Sequence, residues 1–428
     1  MERYEHVESK LLPKSFLEIE VCGSKCSRTH DSRCVRIRGT VIHRSRIIMA
    51  GDHSARKYKT LSTGMFLSGV CTPLIAALAP WLAHRHGLTD ARLGLYFTVQ
   101  FFASFLAAAI STRHALWSLR VGFLCLAAGI PLLVSPSIWI SLLGAAMLGT
   151  GLGSAIPAIN AVRAYDENAA SGLISLNFLW SLGALTCSVA LHHPGPIAFA
   201  TLGALALSCF LLANFWFFSH YEGMVRRPTA RHTPNLLLEC LFALCLLLYV
   251  GAENGIAGWA KVLCGTTGNV SIAGYSLVAF SAAMLVGRLI SPLLVARLKC
   301  REKTFLFWCL AGAIFSTSLI VLPSSAKMHV LLIGLAGLFA APVFPLIVFL
   351  FTSRIPQERG WAFCASGVGA SVLPFAMGVV SMRTSISWAY SLPAAALVIV
   401  FAIMVRLFFV SSTELSRSGA ALARTATP

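Results

Sequence analysis

The sequence predicts an all-α membrane protein of about twelve transmembrane helices, and three observations predict it. Hydrophobic residues make up 57% of the 428 positions and charged residues only 12%, about half the charged share of a soluble domain. From residue 61 onward apolar runs follow one another with short hydrophilic breaks, each near the roughly 20 residues that a helix needs to cross about 30 Å of hydrocarbon. Lys and Arg gather in alternate breaks, so the formal charge of +18 sits where it sets orientation. No basic patch interleaved with exposed aromatics points to nucleic acid, and none is expected as a partner.

Residues 1–59 are polar, mixed in charge and without periodicity. They read as a disordered tail, with Met49 a possible true start. Cys22, Cys26, His30 and Cys34 recur at four-residue spacing, but structural zinc sites pair their cysteines more tightly around a turn, so no metal is expected. The first six spans are then read at 61–83, 91–111, 117–134, 138–165, 171–191 and 196–218. After a basic polar segment come six more, at 236–262, 271–296, 304–322, 329–351, 361–382 and 386–409. The implied organisation is a six-helix bundle over 60–219, a basic central loop over 220–234, a second six-helix bundle over 235–410 and a tail over 411–428. Most of the 13 cysteines, such as Cys71, Cys125, Cys187 and Cys245, lie inside apolar runs, where they are small hydrophobes rather than disulfide partners.

Placing the amino terminus in the cytoplasm puts three basic clusters on the inner side: Arg56, Lys57 and Lys59; Arg226, Arg227 and Arg231; and Arg297, Lys299, Arg301 and Lys303. The outer loop at 192–196 carries no Lys or Arg. The positive-inside rule therefore predicts both termini in the cytoplasm of a multi-pass protein of the cell inner membrane.

The two halves also look alike. L-G-L-Y-F-T-V from Leu93 in the second span runs parallel to A-G-Y-S-L-V-A from Ala273 in the eighth, and Gly183-Ala184 in the fifth parallels Gly369-Ala370 in the eleventh. The offset is about 180 residues in both cases, as two repeated six-helix halves require. Close helix approach is expected at Gly149, Gly151 and Gly153 in the fourth span and at Gly334 and Gly337 in the tenth. Breaks in regular hydrogen bonding are expected at Pro157, Pro342 and Pro345.

Y-V-G-A-E-N-G-I-A-G-W in the seventh span, V-G-R-L-I in the eighth, G-L-F-A-A-P-V-F-P from Gly337 and G-V-G-A-S-V-L-P from Gly367 resemble the major facilitator superfamily, and within it the group of the fucose permease and related sugar symporters. The resemblance covers about 61–409 and implies the major facilitator fold, two pseudo-symmetric six-helix bundles that move a solute by alternating access. Two departures stand against carrying over that group's proton-handling acids. The first span, L-S-T-G-M-F-L-S-G-V-C, has none, and Ile156 stands in the fourth span where the fucose permease has a carboxylate. The loop between the second and third spans holds Arg113 and Arg120 but no Asp.

The candidate site begins with Glu253 and Asn254, because a carboxylate in an apolar segment needs a partner or a wet cavity. An acid at the outer interface paired with Lys261 is the alternative. Trp259 or Tyr275 is placed to stack a sugar ring beside these groups. Asn160 and Asn177 are expected to line the path, and Gln100 to bond helix to helix. Arg288, at a different depth from Glu253, is read as a gating residue, with a static contact to a neighbouring helix terminus as the alternative.

These residues predict a secondary active transporter of a small polar solute, most simply a sugar or sugar-like compound, with a proton or sodium as coupling ion. An exporter of hydrophobic or cationic compounds is the nearest alternative, and a non-transporting membrane receptor a further one. No paired carboxylates, metal-spaced histidines or nucleophile motif lie in the spans, so no enzyme and no cofactor is expected. The remaining partner is membrane lipid, and a monomer is expected.

Overall fold

Pro73 has no N–H to donate, so the first apolar run cannot be one unbroken helix. In the computed structural model α1 (Lys59–His86) is interrupted by a turn at Thr72 and Pro73. The structure describes residues 35–37, 40–42, 59–111, 115–164, 169–192, 196–214, 236–266, 270–298, 302–352 and 361–407. Among them follow α2 (Asp90–Ser111), α3 (Ala115–Leu133), α4 (Ile138–Ala164), α5 (Ala169–Ala190) and α6 (Pro196–Asn214). The second half comprises α7 (Leu236–Gly265), α8 (Val270–Leu298), α9 (Glu302–Ile320), α10 (Ala326–Ala340 continued by Val343–Thr352), α11 (Trp361–Arg383) and α12 (Ile386–Ala389 continued by Ser391–Val405).

These twelve helices stand where the apolar runs predicted them, mostly to within a few residues. Nine are long and apolar enough to cross a membrane among the described residues. The outward side chains are those of a protein solvated by lipid: Trp117, Trp139, Phe315 and Trp308 are exposed, while Ser68, Gln100, Ser188 and Lys261 are buried. Of the expected proline breaks, α10 is interrupted at Ala341 and Pro342, whereas α4 runs through Pro157 without a break.

The internal repeat has a physical counterpart in the packing. Across the two halves α2 packs on α11, α5 on α8, and α1 on α7. Advancing each helix by six turns the α2–α11 pair into α8–α5 and returns α1–α7 to itself, which is the behaviour of a pseudo-twofold axis. Within the halves the glycine contacts repeat as well. A Cβ on Gly69 of α1 would clash with the Trp180 carbonyl of α5, and one on Gly183 with the Phe66 carbonyl of α1. In the other half a Cβ on Gly369 of α11 would clash with the Leu247 carbonyl of α7, and one on Gly251 would lie 2.7 Å from the Gly369 carbonyl. Likewise Gly149 and Gly153 let α4 touch the backbone of α2 at Gln100 and Ser104, and Gly337 lets α10 approach the Phe280 carbonyl of α8. Small residues thus take α-carbon backbones to near contact where lipid offers helices no hydrophobic drive to associate.

Among the first 60 residues, β1 (Val35–Ile37) and β2 (Thr40–Ile42) pair antiparallel, with Val35 opposite Ile42. The Cys22, Cys26, His30, Cys34 set and Met49 lie outside the described residues.

Candidate functional site

A cavity of about 60 Å³ lies on the seam between the halves, lined from five helices. Each helix contributes residues spaced by three or four, the stripe that one helical face presents. These are Thr72, Pro73 and Ala76 of α1; Phe97, Gln100 and Phe101 of α2; Trp180, Ser181 and Ala184 of α5; Glu253, Asn254, Ala257 and Gly258 of α7; and Leu277, Phe280, Ser281 and Met284 of α8. Glu253 is the one ionisable side chain in that lining.

The turn in α1 is the hub of the polar wall. Thr72 Oγ1 donates to the Ser68 carbonyl at 2.8 Å and accepts from Trp180 Nε1 at 3.2 Å. Gln100 Nε2 donates to the Thr72 carbonyl at 3.4 Å. Gln100 is 1% exposed, and its Oε1 is buried without a hydrogen-bond partner. A buried carbonyl oxygen left unpaired is unusual, because its desolvation is uncompensated. On the opposite wall Asn254 spends one Nδ2 hydrogen on the Val250 carbonyl, 2.8 Å away. One turn before Glu253, Tyr249 donates its hydroxyl to the Ala340 carbonyl at 2.6 Å, where α10 breaks.

Arg288 sits on α8 below Ser281 and Met284, toward the end of the bundle where the chain enters α1. Its guanidinium donates to Ser181 Oγ at 2.6 Å and to the Asn177 carbonyl at 3.5 Å, and lies over the Trp180 ring at 4.8 Å. It therefore joins α8 to α5 across the seam, at a mid-helix side chain and carbonyl rather than at a helix terminus. Its Nε is buried without a partner.

Of the residues singled out in the sequence, Glu253 and Asn254 line the cavity together. Asn177 is outside that lining and meets Arg288 through its carbonyl. Asn160 on α4 is outside the lining, with its Oδ1 buried and unpartnered. Trp259 is fully buried, its Nε1 donating to the Pro374 carbonyl of α11 at 2.9 Å, and it does not reach the cavity. Tyr275 is 54% exposed, beside the His192 ring. The helical turn explains both placements: Trp259 is six residues on from Glu253, about 240° around the helix, and Tyr275 is two residues before Leu277, about 200° from the wetted stripe. The aromatic faces at the cavity are instead Phe97, Phe101, Trp180 and Phe280. Lys261 does not pair with Glu253; its ammonium donates to the Ala77 and Leu191 carbonyls.

The sequence pattern of the Major Facilitator Superfamily matches residues 61–359. No curated protein matches the chain. Among solved structures, the E. coli fucose:proton symporter FucP is 17% identical, with 81% of this chain and 97% of that one covered and a TM-score of 0.54. A structure of FucP in the outward conformation gives 0.55 at the same identity and coverage. The nucleoside transporter NupG is 13% identical, with 82% and 100% covered and a TM-score of 0.59. At these identities the likeness concerns the fold. With the family pattern spanning most of the chain and the twelve-helix fold in agreement, the chain belongs to the Major Facilitator Superfamily, as a multi-pass membrane protein that is a secondary transporter and not an enzyme.

Proposed function

We propose that the chain carries a small polar solute, a sugar or sugar-like compound, through the seam cavity by alternating access. The observation that carries this reading is that the amides of Gln100 and Asn254 and the carboxylate of Glu253 line one cavity on the seam. Together they form a set of acceptors for hydroxyl donors, with Trp180 and Phe97 as flat apolar faces for a ring. A cavity of about 60 Å³ has room for only a few waters, so a solute of sugar size is admitted only when the halves part. A proton or sodium as coupling ion fits Glu253, the ionisable group of the lining. The basic clusters support cytoplasmic termini in a cell inner membrane.

A second reading has support in one observation. Phe97, Phe101, Leu277, Phe280 and Met284 make most of the wall apolar, with a single carboxylate, and such a wall also suits a hydrophobic cation. Thermal unfolding of the purified protein against a panel of sugars, nucleosides and lipophilic cations separates the two. The sugar reading expects a stabilising shift with a sugar that disappears in Glu253→Gln. Stabilisation by lipophilic cations alone would replace it with the export reading.

A further inference from the structure

Lys261 is 3% exposed, in a helix that belongs to the second half, yet both of its hydrogen-bond acceptors belong to the first. Its Nζ donates to the Ala77 carbonyl of α1 at 2.8 Å and to the Leu191 carbonyl, just past the end of α5, at 2.7 Å. We infer that Lys261 is the latch of the gate at this end of the bundle, the end carrying the α1–α2 and α7–α8 loops, and that its ammonium is bonded only while α7 lies against α1 and α5. The inference rests on the alternating-access reading proposed above.

The chemistry suits a latch that must release. Neither bond has a carboxylate as acceptor, so the ammonium is held by neutral carbonyl dipoles. The Leu191 carbonyl lies at the C-terminal end of α5, where the helix dipole favours a cation. Withdrawing an ammonium from water is costly, and carbonyls offset part of that cost without the full attraction of a buried counter-ion. When the halves part at this end, water takes the place of both carbonyls, so the closed and open arrangements stay close in free energy. The same end is closed by fit as well, with Gly274 of α8 against the His192 carbonyl and the His192 ring 5.8 Å from that of Tyr275. Those contacts carry shape. Lys261 and Asp90 of α2 each bring a charge bonded across the seam here, Asp90 Oδ2 accepting from Ser381 Oγ of α11 at 2.5 Å. Of the two it is Lys261 that is buried and must be either bonded or hydrated.

The test is a distance measurement across this end of the full-length chain. The 13 cysteines make thiol labelling impractical, so spin labels are introduced through non-natural residues at His84, exposed at the end of α1, and Thr266, exposed after α7. The proteins are reconstituted in lipid nanodiscs and the distance distribution is read by pulsed electron resonance. Lys261→Met, which keeps the length of the side chain and removes its donors, is expected to raise the ratio of long to short distances at least threefold. Lys261→Gln, which retains one donor group, is expected to fall between Met and wild type. Lys327→Met, which removes an exposed lysine at the same end, is expected to leave the distribution unchanged. A folded, monodisperse Lys261→Met protein with the wild-type distribution overturns the latch, and so does failure of both Lys261 variants to fold, which makes the residue a purely structural one. A wild-type chain that holds one distance under every condition fails the carrier reading itself, a result distinct from either.

Discussion

Arg288 of α8 lies over the ring of Trp180 of α5 with its guanidinium 4.8 Å from the ring centroid, and the same side chain donates to Ser181 Oγ at 2.6 Å. Trp180 in turn donates its indole N–H to Thr72 in the α1 turn. A cation of one half is thereby tied, through one aromatic residue, to the discontinuous helix of the other, directly beside the cavity.

A double-mutant cycle measures that tie. Arg288→Met and Trp180→Leu are each expected to lower thermal stability in detergent, and the coupling between them to be about 1–2 kcal/mol, between an exposed and a desolvated cation–π pair. Arg288→Lys should recover only part, because a compact ammonium lacks the planar face that lies on the ring. Additive losses would mean that the two residues stabilise the seam independently.

Two glycines are predicted to behave oppositely. Gly183→Val forces a side chain into the Phe66 carbonyl of α1, and no flexible side chain is there to yield; overpacking of this kind costs on the order of 1–3 kcal/mol or more. Loss of folded protein in fluorescence-detected size exclusion is the expected outcome. Gly203 of α6 has nothing within 4 Å of a built Cβ, so Gly203→Ala should stabilise the helix by about 0.4–1 kcal/mol and raise the unfolding temperature. A destabilised Gly203→Ala protein would show that α6 is packed differently.

Gln100→Leu separates binding from structure. Removing a buried, unpaired acceptor relieves a desolvation cost, while the bond forfeited to Thr72 is long. Stability is therefore expected to be unchanged or raised, and solute affinity to fall by about tenfold or more, the worth of a hydrogen bond of roughly 1.4 kcal/mol. Reduced stability at unchanged affinity would make Gln100 a packing residue.

Glu253→Gln keeps the shape of the side chain and removes its charge. Hydrogen bonds to charged groups contribute about 1.5–3 kcal/mol, so affinity should drop by roughly 10- to 150-fold. With a proton as coupling ion, uptake driven by a pH gradient should fall to its level without a gradient while exchange continues. An unaltered response to the gradient would place the coupling group elsewhere.

Much of the fold is written in the apolar runs because each helix must satisfy its own backbone in lipid, so length and hydrophobicity alone mark it. The repeat was visible at Gly183 and Gly369 for a related reason: near contact between backbones admits only glycine, whatever else drifts. Glu253 stood out because an acid in such a segment is expensive. Lys261 did not, since a lysine close to a helix end usually reaches the interface with its long stem, and only the neighbouring helices reveal that this one is enclosed by Ala77 and Leu191. An amide such as Gln100 in an apolar run is expected to bond helix to helix; one of its two polar groups does bond α1, and which way the other faces depends on how α2 is rotated against four further helices. Trp259 and Tyr275 have the chemistry for stacking a ring and stand near the candidate site in sequence, but the helical phase turns both away from the cavity.

Counterflow tests the central claim most directly. Proteoliposomes are loaded with an excess of the unlabelled sugar that gives the largest thermal shift, then diluted into a trace of the labelled compound. A carrier that alternates between two accesses predicts a transient accumulation of label above equilibrium, abolished by Glu253→Gln together with Gln100→Leu. Saturable binding of the label with no such overshoot would contradict transport and leave a receptor.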